Sequence, residues 1–400
     1  MNQFRGKRIT VMGLGRFGGG VGVVRWLAAR GAHVLVSDSD QADSLAHSIA
    51  AIQPLISAGA VSLALGSHET HHFTDTDAVV ANAAVPTPWA NPFLAAAASR
   101  GVPILTEIGL AVAQLPSRSR IIGITGSVGK STTTALIQCI LSANGLQAIA
   151  GGNLGGSLLT DLESGSITTD TWVVLELSSA MLHWLAGWSP ATAVVTTIEN
   201  NHVDWHGTID HYRSSKQNIL RSQAPGDLAL LGPTVAQWPT ASGVRSVRIP
   251  ADAGVTDLII PGAHNAWNAA VAVEAVINAV PSISRPAAEA ASRSFSGLPH
   301  RLEFVGQHAN IRFYNDSKST TPGATSIAVH SFAPGSVHLI AGGYDKKIDL
   351  TPIAALGPRL AGLYTIGATG PTIAELAADC PCTRRCESLD NALSAATERA

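Results

Sequence analysis

Gly123-Ile124-Thr125-Gly126-Ser127-Val128-Gly129-Lys130-Ser131-Thr132 is the stretch on which the reading of this 400-residue chain turns. An apolar run, 121–125, leads into it, and a helix-forming run, 132–143, leads out, so its glycines sit in a strand–turn–helix passage. Backbone N–H groups of such a loop cradle phosphate oxygens. Lys130 has the reach and charge for the terminal phosphates, and the Ser131 hydroxyl suits Mg²⁺. The spacing departs from the strict form: Ile124 stands five residues before Gly129, and Gly126 supplies the turn instead. Gly126, Ser127, Gly129, Lys130, Ser131 and Thr132 are therefore the expected ATP loop.

Outward from this loop, chemistry-bearing residues recur where apolar strands end, the edge at which open α/β sheets bind ligands. Glu176 closes the run 172–177; a glutamate there pairs with a cation, Mg²⁺ being the natural one, or else reaches solvent. His202 and Asp204 follow the run 191–198. Lys216 follows within Tyr212-Arg213-x-x-Lys216, as a site ammonium or a solvated helix lysine. The chain uses lysine sparingly, at 7, 130, 216, 318, 346 and 347, which favours a site role for those near strand ends. Upstream, Gly13-x-Gly15-x-x-Gly18 follows the strand 9–12 and suits NAD, FAD or any nucleotide diphosphate. Asp38, ending the next strand, is then a candidate for a ribose hydroxyl. Asn82 ends another apolar run. Downstream, Asn265 and Asn268 open an alanine-rich helix, where they read a base edge or cap the helix. Arg301 suits phosphates. Asp316, Lys318, Thr320 and Lys346 end strands of the last block.

The order of elements reads as βαβ throughout, an α/β fold of three domains: 1–117, Rossmann-like; 118–297, a parallel P-loop sheet; and 298–400, smaller and Rossmann-like. A polar break at 116–119 and the turn Gly297-Leu298-Pro299 mark the boundaries. Hydrophobic residues make up 46% and charged ones 14%, which supplies a core and excludes wholesale disorder. A net charge of −2 gives no footing for nucleic acid or an anionic membrane. No run is long enough to span a bilayer, and the start does not read as a secretory leader, so a cytoplasmic location is expected. Four cysteines exclude a disulfide scaffold. Cys380-x-Cys382-x-x-x-Cys386 has a metal-like spacing, but it lacks a clustered fourth ligand and adjoins Arg384-Arg385, so it reads as structural.

Taken in order, Gly-x-Thr-Gly126-x-x-Gly129-Lys130-Ser131, Gly152-Asn153-Leu-Gly155, Glu176-Leu-Ser-Ser, His202-x-Asp204, Tyr212-Arg-x-x-Lys216 and His264-Asn265-x-x-Asn268 resemble the Mur ligases of peptidoglycan synthesis, from about Gly13 to Lys346. Gly-Leu-Pro-His300-Arg301-x-Glu and Asn315-Asp316-Ser-Lys318-x-Thr320 resemble the branch of that family that joins D-glutamate to UDP-N-acetylmuramoyl-L-alanine. The resemblance implies an ATP- and Mg²⁺-dependent ligase working through an acyl phosphate, as a monomer. It implies UDP rather than NAD at the first domain, near Gly15, Arg16, Phe17 and Ser39, with Asn82 at the UDP-sugar and Asn153 at the muramoyl group. It places Mg²⁺ on Ser131 and Glu176, a second Mg²⁺ on His202, and a carbamylated, metal-binding lysine at Lys216. Asn265, Asn268 and Asp316 would hold adenosine, Arg301 the phosphates, and Lys318, Thr320 and Lys346 the incoming glutamate.

Two departures accompany the likeness. Ala83-Ala84 stand where the family has Pro-Gly. The sequence ends at Ala400 in a helix-like run, where relatives continue through a strand and helix contacting glutamate. The first bears on the close backbone approach to the UDP-sugar; the second motivates an alternative, a UDP-sugar-binding relative without turnover or with altered specificity. An NAD-dependent oxidoreductase is more remote, because it leaves Lys130, Glu176 and His202 without a role.

Overall fold

The computed structural model describes residues 3–16, 19–199, 202–345 and 348–400. By internal contacts the chain divides into two compact units, 1–251 with 271–288, and 252–270 with 289–400.

The first unit holds two parallel sheets. In one, β1 (Arg8–Met12), β2 (His33–Asp38), β3 (Val61–Leu65), β4 (Ala78–Ala81) and β5 (Ile104–Leu105) lie in the order β3-β2-β1-β4-β5. The order reverses between β1 and β4, and such a switch point opens a crevice beyond the strands' carboxyl ends. Gly13 follows β1 there and Asn82 follows β4. Gly13 has φ +89°, and a Cβ on it would lie 3.3 Å from the Asn82 Cβ.

The other sheet comprises β6 (Ile121–Thr125), β7 (Ala148–Gly152), β8 (Trp172–Glu176), β9 (Thr192–Val195), β10 (Leu228–Leu231) and β11 (Arg245–Arg248), in the order β11-β10-β9-β6-β8-β7. β6, β8, β9 and β10 are buried along their whole length, as nearly continuous apolar runs covered on both faces require. Each large apolar side chain so buried contributes about 1.5–3 kcal/mol. One apolar cluster takes in Val11, Leu27 and Ile108 with Leu158, Leu175 and Ala193, so the two sheets share a core. The 116–119 break is fastened rather than loose: Arg118 donates to the Ser189 carbonyl (2.8 Å) and pairs with Asp227.

In the second unit the expectation of βαβ order throughout is corrected. β12 (Glu303–His308) and β13 (Ile311–Asn315) form an antiparallel hairpin with an irregularity between Phe304 and Gly306. The turn places Ala309 at φ +52°, and without the usual Asn-Gly signal it is invisible in the sequence. β14 (His338–Gly342), β15 (Gly362–Ile366) and β16 (Thr383–Arg385) form a parallel sheet around a small apolar core. The helix Ala263–Ala279 contributes residues to both units.

Candidate active site

The loop after β6 forms where the second sheet reverses its order, between neighbours β8 and β9. Gly126 has φ +148°, and any Cβ there would overlap the Thr196 hydroxyl after β9. Ser127 N–H donates to the Thr197 carbonyl (2.8 Å) and Val128 N–H to the Thr197 hydroxyl (3.2 Å), so the β9 end shapes the loop. Gly129, at φ +85°, begins the 14-residue helix Lys130–Ala143. First-turn N–H groups have no carbonyl partner within a helix and carry its positive dipole end, which suits an anion. Lys130 Nζ donates to the Ser127 carbonyl (2.9 Å), close to the loop's opening. Ser131 and Thr132 are half-buried in that first turn.

Glu176 lies beside this loop at the end of β8, in register with Ile124 and Gly152, and is 1% exposed. Its Oε1 accepts from Asn153 Nδ2 at 2.8 Å, and its Oε2 is buried without a hydrogen-bond partner. A buried carboxylate oxygen left over beside a phosphate-type loop matches the oxygen-donor chemistry that Mg²⁺ demands. Gly152, at φ +83°, is required here, because a side chain would strike the Glu176 carbonyl. Asn153 N–H donates to that same carbonyl (2.8 Å), so the Gly152–Asn153 turn and Glu176 hold each other.

Lys216 is buried, not solvated: it is 2% exposed, with Nζ donating to the Gly126 carbonyl (2.8 Å) and to Thr125 Oγ1 (3.3 Å). The helix Ile209–Arg221 turns Tyr212, Lys216 and Ile219 inward together, which is i, i+4, i+7 spacing. Burial, reinforced by the Lys130 charge and opposed by Glu176, holds the Lys216 pKa well below the usual lysine value. Tyr212 OH meets Ser127 Oγ at 2.7 Å, tying this helix to the loop. His202 adopts φ +52°; its pKa is lowered by burial and by the Lys216 and Lys130 charges, with Asp204 opposing.

Between the carboxyl ends of the two sheets runs a cleft of about 520 Å³, whose lining includes Gly13, Asn82, Glu107, Asn153, Ser178 and His202. Its size suits a substrate larger than an amino acid. Hydrogen bonds join Glu176 to Asn153 and Lys216 to the Gly126 carbonyl of the loop, and Asn153 and His202 line the cleft together with Asn82. Asp38 holds the glycine turn: its Oδ2 accepts from the Leu14 and Gly15 N–H groups and its Oδ1 from the Asp40 N–H. Gly15 has φ +78°, Arg16 pairs with Asp40 through two 2.8 Å bonds, and Ser39 is exposed beside them. Phe17 lies outside the described residues.

The second unit brings its candidates together around β13. Asp316 Oδ1 accepts from Leu302 N–H (2.9 Å), next to the exposed Arg301, and Lys318 N–H donates to the His300 carbonyl (3.0 Å). Burial lowers the His264 pKa while the Asp316 charge acts in the opposite direction, which puts the start of helix Ala263–Ala279 near Asp316. Asn265 and Asn268 are buried there, Asn265 donating to the Pro261 carbonyl (2.7 Å). Lys318 and Thr320 are exposed, and Lys346 lies outside the described residues.

Sequence reading missed several residues at the cleft. Glu107 is mostly buried, bonded by the Ser157 hydroxyl, with its pKa raised chiefly by burial. His206 lies between Ser179 Oγ (2.9 Å) and His211 Nδ1 (2.8 Å), its pKa pushed to about 4 by burial and by the neighbouring histidines. The i, i+4 spacing from His202 to His206 was the available signal. Nothing local marks Glu107, whose partner is 50 residues away.

A parallel-sheet nucleotide loop beside a buried carboxylate, with a large cleft nearby, defines a class: enzymes that spend a nucleoside triphosphate on a bulky substrate. Comparison with known proteins narrows it. Residues 7–106 match the Mur ligase MurD-like, N-terminal domain, and residues 124–255 the Mur ligase middle domain. The chain is 33% identical to the UDP-N-acetylmuramoylalanine–D-glutamate ligase of Koribacter versatilis over 99% of its own length and 90% of that protein's. It is 34% identical to the protein of the same name from Symbiobacterium thermophilum, over 92% and 84%. The solved UDP-N-acetylmuramate–alanine ligase of Thermotoga maritima shares the fold, with TM-score 0.56, 17% identity and coverage of 96% of this chain and 91% of that one. The chain belongs to the Mur ligase family, ATP-dependent enzymes that form amide bonds.

Proposed function

We propose that the chain joins D-glutamate to UDP-N-acetylmuramoyl-L-alanine with hydrolysis of ATP to ADP and phosphate, as the relatives' names indicate, in the cytoplasm where ATP and such precursors are available. One observation carries the reading: the Gly126–Ser131 loop lies beside a buried Glu176 whose Oε2 has no hydrogen-bond partner. The division of labour we assign is 1–117 for the UDP-sugar, 118–297 for ATP, and 298–400 for glutamate and part of the nucleotide, in a monomer.

A carboxylate does not react with an amine at neutral pH. The substrate carboxylate therefore attacks the γ-phosphorus of ATP, giving an acyl phosphate and ADP; the glutamate amine then attacks the acyl carbon, and phosphate leaves. Carboxylate and triphosphate repel each other, so this chain must supply positive charge and alignment. Lys130 and the first-turn N–H groups would hold the β- and γ-phosphates. Ser131 and Glu176 would bind Mg²⁺, and His202 a second ion. When bound, Mg²⁺ neutralises phosphate charge and polarises the oxygens. Burial favours the neutral amine of Lys216, the form that would add CO₂; as a carbamate it would become an anionic ligand. Asn82, Gly15, Arg16, Phe17 and Ser39 would receive the UDP end and Asn153 the muramoyl end. Asn265, Asn268, Asp316 and Arg301 would contact the nucleotide, and Lys318, Thr320 and Lys346 the glutamate.

The decisive test is ADP release by purified protein. It should require UDP-N-acetylmuramoyl-L-alanine and D-glutamate together. UDP-sugar binding without ADP release would favour the non-catalytic relative, and nicotinamide binding the oxidoreductase.

A further inference from the structure

The cysteines near the end of the chain do not converge on a metal. Cys386 packs with Tyr364, Ala392 and Ala395, whereas Cys382 packs with Val329, Leu363 and Ile373 in a separate apolar cluster. Cys380 and Cys382, however, meet each other. Thr383 N–H donates to the Cys380 carbonyl (3.0 Å), closing a turn over Cys380-Pro381-Cys382-Thr383. Pro381 stands second in that turn, where its fixed φ pre-sets the bend. The turn brings the two Sγ atoms to 2.7 Å. Cys380 is half-buried, so a small reagent can reach it, while Cys382 is 8% exposed with its thiol toward the Gly357 carbonyl at 3.6 Å.

We propose that Cys380 and Cys382 are a reversible dithiol that closes to an intramolecular disulfide by exchange with low-molecular-weight disulfides of the oxidised-glutathione type. The Cys380 thiolate attacks one sulfur of the small disulfide; that S–S bond breaks and one small thiolate leaves. Cys382 then gives up its proton to solvent and attacks the Cys380 sulfur, expelling the second. Two electrons pass from the protein to the small disulfide, which ends as two thiols. The order follows from access and acidity. Burial opposes ionisation of Cys380, but hydrogen bonds from Cys382 and Thr383 outweigh it and lower its pKa; burial and the neighbouring Cys380 raise that of Cys382 to about 11. A loop this short removes little entropy from the unfolded chain, so the bond adds little stability and stays easy to reduce, as suits a switch rather than a staple.

The test incubates the full-length protein at graded ratios of oxidised to reduced glutathione, quenches with acid, alkylates, and maps peptides by mass. The expected product is lighter by two hydrogens before alkylation, with both alkyl groups missing within 380–382 and restored by dithiothreitol. Cys382→Ser should retain glutathione on Cys380, and Cys386→Ser should close as the wild type does. Alkylation of all four cysteines at every ratio, persistent glutathione on wild-type Cys380, or protection at Cys139 or Cys386 would overturn the proposal.

Discussion

Replacing Glu176 with glutamine separates what this side chain does for the fold from what it does for the nucleotide. The carboxylate is 1% exposed and has one donor, Asn153, for two oxygens. Glutamine keeps the volume and can still accept from Asn153, while removing the charge. An unsatisfied buried group costs about 1–3 kcal/mol; part of that returns with the new unpaired amide, so the variant should be as stable as wild type or up to about 2 kcal/mol more so. At the nucleotide the sign reverses. Losing a preorganised charge at a phosphoryl-transfer site costs about 2.7–4 kcal/mol, or about 10²–10³ in kcat. Urea unfolding reads the first effect, and coupled ADP release across a Mg²⁺ titration reads the second. Wild-type turnover at limiting Mg²⁺ would refute the assignment of Oε2 to a cation, and a marked loss of stability would refute the view that the fold does not depend on this charge.

Three further outcomes follow from the geometry. Lys130→Ala should lower kcat by about 10²–10³ in the ADP assay while moving the urea midpoint little, because its bond to the Ser127 carbonyl is one partly exposed contact worth about 1 kcal/mol. Gly126→Ala should cost about 1–3 kcal/mol in urea unfolding, from the φ of +148° and the collision with Thr196, and should weaken binding of a fluorescent ADP analogue. His206, at about 4 in the fold against 6.5 unfolded, binds a proton more readily once unfolded. Its contribution is therefore complete above pH 6.5 and is lost as pH falls toward 4. Unfolding of His206→Phe across that range should show a shallower slope than wild type, the difference being on the order of 1–3 kcal/mol; parallel slopes would refute it.

The residues to which we assign the chemistry are legible because each sits at a strand end in a local pattern: the glycine loop after β6, Glu176 closing β8, Asn82 after β4. Their neighbours are not, since tertiary packing alone sets them beside one another. Lys216 reads equally as a surface lysine until the inward face of its helix is seen, and nothing local shows that Asp38 accepts from three backbone N–H groups of the glycine turn. The β12–β13 hairpin escaped because its strands are half-exposed and its turn uses alanine at positive φ. Edge strands such as β11, written Arg245-Ser-Val-Arg248, lack the apolar run that betrays central ones.

The 2.8 Å bond from Asn153 to Glu176 joins the side chains we assign to two different ligands. If the muramoyl group recruits Asn153, as proposed, the carboxylate loses its donor at the moment it is asked to face a cation. Occupancy of the sugar cleft and affinity for the metal–nucleotide pair then become thermodynamically coupled, by the same factor in both directions. Binding isotherms for either ligand should shift when the other is saturating, and Asn153→Ala should abolish that cooperativity.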